Sequence, residues 1–411
     1  MIISEEPTGE TLDPESVQLV PNQGEDESDF EGSQLGFKAS IGGKDWTVET
    51  LVSQMRKGRI DLDPSFQRRN AWLANRKSKL IESIMLGFPV PQIVLAEKHD
   101  SPGHYFVLDG KQRLLALRQF FADPANPKDV GFTPLKLTGL EVLTNLNRKD
   151  ADQLEQTEPA LFAAVENHSI RTVVLGNWNS ERLLLSLFLR LNTGSVALSP
   201  QELRQALIHG QFINWLDSQS GDLPALRELL NNAHPDRRMV DAELLLRHLS
   251  FSNSPIKYRG NLKDFLDDTS RHFNKDWRHF HPVVSESLEE FERALVTGRN
   301  ILGVDVFCRK WSPGLDDPKD GKFERALNRA IFDIQVYSFS HEHVRRAVAD
   351  KGDQLILEFQ YECENNETFV RSITATTKTA EAFITRHRTW MKIVKRVTNA
   401  EYPLPEPLRR A

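Results

Sequence analysis

The chain has 411 residues, 39% of them apolar and 27% charged, enough for two or three domains with sizeable cores. No apolar run approaches the ~18 residues that a membrane-spanning helix needs. No basic stretch followed by an apolar core opens the chain either, so no membrane partner and no secretion are expected, and the cytoplasm is the expected compartment. The two cysteines, Cys308 and Cys363, are too few for a disulfide framework or, alone, for a zinc site.

The net charge of −6 is unevenly placed. Residues 1–35 hold ten acids and no Lys or Arg, so the remainder carries 52 bases against 48 acids, a balance of +4. Few large apolar residues lie there, and Pro and Gly recur, so residues 1–40 are expected to be an acidic disordered tail. It reads either as a solubilising tail or as a mobile mimic of DNA that screens a basic surface.

Val48, Leu51, Val52 and Met55 recur at helical spacing after Thr47, and Gly58 ends that helix. Strand-like runs lie near 59–62, 92–96, 104–108 and 170–175. A helix with Leu80, Ile81, Ile84 and Met85 on one face stands between the first two. Proline and glycine mark 123–135 as a loop, and 135–165 is mixed. Ser180 can cap a helix carrying Leu183, Leu184, Leu187 and Leu191. Ser199-Pro-Gln-Glu202 is a capping box with proline at the first helical position, which makes Glu202 a cap before anything else.

From 211 onward the periodicity is helical. Helices are expected near 211–219, 224–232, 239–252, 285–297, 323–338, 340–350 and 376–399. Breaks are expected at Gly221, Pro235, Pro255, Pro282, Pro313 and Pro318. The last helix sets Phe383, Trp390, Val394 and Val397 on one face and Arg388, Lys392, Lys395 and Arg396 on another. That basic face is either a solvated surface or a nucleic-acid contact on a phosphate backbone.

The chemistry concentrates at Leu108-Asp109-Gly110-Lys111-Gln112-Arg113, between an apolar strand and an apolar helix face. A strand-to-helix turn presents backbone N–H groups at a positive helix end, which suits phosphate. Arg113 adds a permanently charged fork. Asp109 could hold a metal or orient water, or simply cap the helix. Upstream stands Pro64-Ser-Phe66-Gln67-Arg68, then the helix at 80–85, then Gly87-Phe-Pro-Val-Pro91. Downstream stands Phe188-Leu-Arg190-Leu-Asn192-Thr-Gly194.

These three motifs, in this order, resemble the N-terminal domain of GmrSD-type restriction enzymes, a branch of the ParB/sulfiredoxin-like superfamily, over about residues 45–210. The family usually has Gln where this chain has Lys111, a change that adds a cation. The resemblance implies a prokaryotic defence protein that binds and hydrolyses a nucleoside triphosphate with Mg²⁺ and gates DNA recognition or cleavage. It implies a small ParB-like mixed sheet with helices over 41–210, and with the helical periodicity beyond it the expected architecture is α+β, a mostly α-helical C-terminal domain over 211–411 following. Carried onto this chain, Arg68, Arg113, Gly110, Lys111, Arg190 and Asn192 would hold phosphates. Gln67 and Gln112 would position water or a phosphate oxygen, and Asp109 would hold Mg²⁺ or direct water. DNA, a separate effector nuclease and a second copy of the chain are the partners left open.

Two other readings stand beside this one. Asp109-Gly-Lys111, with Asp61 or Asp63 as a first acid, has the order of a Mg²⁺-dependent endonuclease, while Asp317-Pro-Lys319 and Asp320-Gly-Lys322 read as loops. Alternatively the chain is a non-catalytic DNA sensor or scaffold. The paired histidines of a His-Asn-His nuclease cannot be placed; His272, His279, His281 and His341, His343 lack metal-ligand spacing. Arg204-x4-His209 has an RNase-like spacing, but the capped helix already explains it. No Walker A, Rossmann or nucleophile-elbow pattern is present.

Overall fold

The computed structural model describes residues 18–20, 40–60, 62, 72–99, 101–178, 199–208, 210–236, 238–314, 320–375 and 378–409. The chain divides into two compact units, Glu27–His209 and Gly210–Ala411, the latter with Met1–Asp26. The first is α+β and the second mostly helical, the fold class expected.

In the α+β unit the described elements run β1 (Ser40–Thr47), α1 (Val48–Arg56), α2 (Ala74–Met85), β2 (Ile93–Lys98), β3 (Ser101–Asp109), α3 (Lys111–Phe120), α4 (Ala151–Thr157), α5 (Pro159–Asn167), β4 (Ser169–Gly176) and α6 (Pro200–Leu207). The sheet order is β1-β4-β2-β3, with β4 and β2 parallel and the outer pairs antiparallel. Ile93, Val94, Leu95 and Ala96 of central β2 are buried in succession, as a strand covered on both faces requires. Val48, Leu51 and Val52 of α1, Ile81 and Ile84 of α2, and Leu114, Leu117 and Phe120 of α3 share one apolar core with Ile93, Leu95 and Ile170 of the sheet.

Local signals predict most of these elements. Thr47 Oγ1 accepts from Thr50 N at 3.1 Å and starts α1. Ser199 and Glu202 complete both halves of the capping box of α6. Ile60 forms only an isolated bridge with Tyr105, not the strand expected at 59–62. Strand β1 is absent from the sequence reading. Its Ser-Ile-Gly-Gly-Lys-Asp run is exposed throughout and shows no alternation, and only the ladder to β4 makes it a strand.

Polar anchors fix the connections. Asp129, fully buried in the loop at 123–135, accepts from Arg56 of α1 at 2.9 and 3.2 Å, from Arg118 of α3 at 2.5 Å and from the Asp123 N–H at 2.8 Å. Burial by itself would raise its carboxyl, but these donors hold it well below the usual carboxylate range. Glu82 of α2 likewise accepts the N–H groups of Glu141, Val142 and Leu143, which outweigh the burial that would raise it. Lys77 of α2 is buried against Gln119 Oε1 of α3 at 2.7 Å, and burial pushes its ammonium down to about 8.

The helical unit runs α7 (Gln211–Asp222), α8 (Pro224–Leu230), α9 (Val240–Asn253), α10 (Leu262–Lys275), α11 (Trp277–Leu302), a ribbon of β5 (Trp311–Ser312) and β6 (Lys322–Phe323), α12 (Arg329–Phe339), α13 (Glu342–Val348), α14 (Gly352–Asn365), α15 (Glu367–Thr374), α16 (Ala380–Thr398) and α17 (Glu406–Arg409). Helices α9 and α12 are buried on nearly every side and form the centre. There Asp333 of α12 accepts from Arg247 of α9 at 2.5 and 3.0 Å and from Arg386 of α16 at 3.1 Å.

Three expectations need correction here. Pro282 does not break the chain: it is the sixth residue of α11, whose first turn is held by Trp277 on Phe212 and Phe280 on Phe273. Helices α10, α14 and α15 were not expected, although Leu262, Phe265, Leu266, Thr269 and Phe273 have helical spacing and Asn261 caps α10. Finally, Gln18–Val20 lies inside the segment expected to be a disordered tail, yet it forms a parallel bridge with Leu327. Val20 N donates to Leu327 O at 3.0 Å, and Leu327 N donates to Gln18 O at 2.7 Å. Leu19 and Val20 are apolar residues in an acidic stretch, and the bridge half-buries both. The helix expected to follow Ser180 lies outside the described residues.

Two stability predictions follow from the anchors. Asp129→Asn leaves Arg118 buried without a counter-charge and should cost about 3–5 kcal/mol. A carboxyl depressed in the fold contributes stability that is complete above its unfolded value near pH 4 and is lost as the pH falls. Thermal melts from pH 7 down to pH 3 should therefore converge for wild type and variant; parallel curves would refute the assignment. Lys77 works in the opposite sense. Its lowered value means that the unfolded chain binds the extra proton between about pH 8 and 10. Wild-type stability should rise over that window relative to Lys77→Met, and a constant difference would count against a strained charge.

Candidate functional site

The site is built where β3 meets α3. The β2–β3 ladder carries Asp109 opposite Val94, and the chain turns at Gly110 into α3. Gly110 has φ of +93°, which L side chains rarely adopt, and an added Cβ would lie 2.9 Å from Ile93 Cγ1 and 3.2 Å from Arg113 Nη2. Glycine is therefore required twice here, for conformation and for space. The first helical hydrogen bond runs from Leu114 N to Gly110 O at 2.9 Å.

Asp109 does not cap this helix. The cap position is Gly110, and no side chain accepts a capping bond there. The carboxylate instead takes Arg113 Nη2 at 2.8 Å, one helical turn on, and the same nitrogen donates to the Gln92 carbonyl at 3.0 Å. The Asp109 and Arg113 side chains keep 26% and 15% of their exposure, so the pair sits in a recess that solvent still reaches. Two polar atoms there, Gln112 Oε1 and Arg113 Nε, are buried without a protein partner. The pair aims a guanidinium across the start of α3.

Of the residues singled out in the sequence, the structure brings Asp109, Gly110, Lys111, Gln112 and Arg113 together over one turn. Gln67, Arg68, Arg190 and Asn192 lie outside the described residues, as do Asp61, Asp63, His209, Asp317 and Lys319. Glu202 is engaged as a cap, and Arg204 Nη1 donates to Gln201 Oε1 at 2.6 Å. What the sequence reading missed is the Gln92 carbonyl, a backbone group with no side-chain signature, and the pairing of Asp109 with Arg113, whose spacing of four was visible.

The basic face of α16 is only partly available. Arg388 and Lys392 are exposed, but Lys395 pairs with Glu401, and Arg396 pairs with Glu362 at 2.5 Å and Glu358 at 3.2 Å. Trp390 is buried and donates to Ser338 Oγ at 2.7 Å, so it offers no ring to a base. Cys308 and Cys363 are buried free thiols, both pushed up by burial. Among the described residues, no three His, Cys, Asp or Glu side chains converge as a metal site, and no helix is long and apolar enough to cross a membrane.

Residues 48–209 match the family model for the GmrSD restriction endonuclease, N-terminal domain. The match spans 162 of 411 residues, all within the α+β unit, and suggests a restriction-type defence protein without covering the helical half. No curated protein and no solved structure matches the chain.

Gly110→Ala should lower the melting temperature by the equivalent of about 1–3 kcal/mol through forced positive φ and displace Arg113. A variant as stable as wild type would mean that the turn relaxes freely.

Proposed function

We propose that the GmrSD-type N-terminal domain binds the phosphates of a nucleoside triphosphate at the start of α3, and that this binding controls the chain's action on DNA. The observation that carries the reading is the recess itself. An arginine is held across a helix N-terminus that no side chain caps, with the Arg113 Nε donor unpaired, while the unpaired Gln112 Oε1 is an acceptor suited to water. Such a place offers backbone N–H groups and a guanidinium donor to an anion, which matches a phosphate chain. Gln67, Arg68, Arg190 and Asn192 belong to the same motifs and would complete the phosphate shell.

The donor set also fits Mg²⁺ in its usual role with nucleotides, where one or two carboxylates suffice because phosphate and water oxygens supply the rest. Asp109 would be that carboxylate. The ion would neutralise charge on the phosphates, and Gln112 could orient water. Cleavage of DNA would then fall to an effector nuclease or to another part of the assembly.

A second reading has one specific observation in its favour. Asp109 is already engaged by Arg113, so the site can bind phosphate without a free carboxylate for hydrolysis. The chain would then be a sensor or scaffold that binds without turnover.

The test is phosphate release from each nucleoside triphosphate with Mg²⁺, with and without DNA, alongside equilibrium binding. Arg113→Ala should weaken binding at least ten-fold, and Asp109→Ala should abolish release while retaining binding. Binding without release in the wild type would establish the sensor. Wild-type affinity in Arg113→Ala would sink the site.

A further inference from the structure

Helix α7 meets the α10–α11 turn of the helical unit through a ladder of aromatic rings. Its floor is apolar and closed: Phe212 and Phe273 are fully buried, with centroids 5.0 Å apart in an edge-on contact. Above them the ladder climbs to the surface. Trp215 stacks on Phe212 at 6.2 Å, Trp277 lies 5.5 Å from Trp215, and His281 stands edge-on to Trp277 at 4.8 Å. Both tryptophans remain partly exposed and His281 is exposed. Large rings held rigidly by their neighbours, with faces and edges left to solvent, are an expensive surface unless something stacks on them.

The charges beside the ladder have one dominant sign. Lys275, Arg278 and His279 are exposed around it, against the single acid Asp276 in the same turn. Among the described residues, neither Lys275 nor Arg278 has an ion-pair partner, unlike Lys395 and Arg396 on α16. Lys275 stands in the last turn of α10, where the helix dipole favours a cation, but helix stability does not explain Arg278. Arg278 occupies the first turn of α11, where the helix dipole disfavours a cation, and that turn contains no acid. Farther along the same helix the exposed residues become acidic, at Glu286 and Glu289. The exposed bases farther along, Arg293 and Arg299, are paired with Glu289, Glu290 and Glu228, unlike Arg278 at the aromatic end. The neighbouring solvent-facing residues of α7, Gln211 and Asn214, are neutral.

We propose that this aromatic ladder, with Lys275, Arg278 and His279 beside it, is a binding surface for single-stranded nucleic acid. Bases would stack on the open parts of Trp215, Trp277 and His281 while the cations track the backbone. Rings plus unpaired cations are what sequence-tolerant single-strand binding needs. A duplex, whose bases are already stacked, has no use for the rings. The assignment does not depend on nucleotide binding at α3.

The experiment is fluorescence anisotropy of a labelled oligothymidylate of about 15 nucleotides, near the upper site size for one such module. Full-length protein is titrated at several salt concentrations, without nucleotide or Mg²⁺, and a duplex of equal length is run beside it. The single strand should bind more tightly than the duplex. Trp277→Ala should weaken it about ten-fold, the loss of one stacked base. Lys275→Ala with Arg278→Ala, two exposed changes that leave the core intact, should lower the salt slope by about 1.4. Equal or tighter duplex binding, no binding of either, or wild-type behaviour of the double variant would overturn the proposal. So would an affinity that vanishes instead with Arg388→Ala and Lys392→Ala on α16.

Discussion

The position of α3 rests on one buried carboxylate. Asp129 sits in a stretch whose prolines read as an ordinary connector, yet it binds Arg56 at the end of α1 and Arg118 near the end of α3. Arg56 and Arg118 also donate to the carbonyls of Phe121 and Lys128, both at 2.6 Å, so the loop and both helix ends form one polar knot. A buried ion pair of this kind seldom stabilises more than well-packed apolar residues would. Its effect is on geometry: an apolar contact tolerates sliding, whereas a carboxylate shared by two guanidinium groups and an N–H does not. Since α3 carries Gln112 and Arg113 at its other end, a fixed C-terminus means a fixed site.

The opposite end of α3 is held by different means. Gly110 packs against Ile93, so the helix starts in contact with the central strand, and no side chain larger than glycine's fits between. Lys77 and Gln119 tie α2 to α3 in the interior, at the cost of a desolvated ammonium. Helix α3 is thus constrained at its start by sterics and at its end by a buried hydrogen bond and by charge. The recess at Arg113 can stay partly open to solvent without the helix shifting to fill it.

What could be read from the sequence follows from the range of the interaction responsible. Helix caps at Thr47 and Ser199, the apolar run of β2 and the turn glycine at 110 are local signals, and they place α1, α6, β2, β3 and α3. Strand β1 has no such signal; its glycines and exposed polar residues become a strand only because β4, more than a hundred residues on, pairs with it. The same holds for Asp129 with Arg56, 73 residues apart, and Asp333 with Arg247, 86 residues apart. A carboxylate's partner is invisible until the chain is folded. Helix α10 is a different case, since its apolar spacing was present in the sequence and needed no tertiary information. At the site, residue types were legible but their division of labour was not. Asp109 and Arg113 read as separate ligands for metal and phosphate, and folding makes them each other's partner.

That pairing sets how the recess can respond to a ligand. The pair is part-buried but still reached by solvent, so an arriving phosphate could compete with Asp109 for the guanidinium. A bidentate contact between guanidinium and phosphate is stronger than a single partly hydrated bond to a carboxylate. Arg113 would not be lost to solvent in the exchange, because its bond to the Gln92 carbonyl holds it from the far side. Asp109 would be released at the moment Arg113 engages the anion, leaving a carboxylate beside the newly bound charge. Two negative groups so close repel each other unless a cation or a proton lies between them. On the proposed reading the ion pair would tie anion binding to a counter-ion beside Asp109, so a phosphate that brings its own cation would fit where a bare phosphate would not.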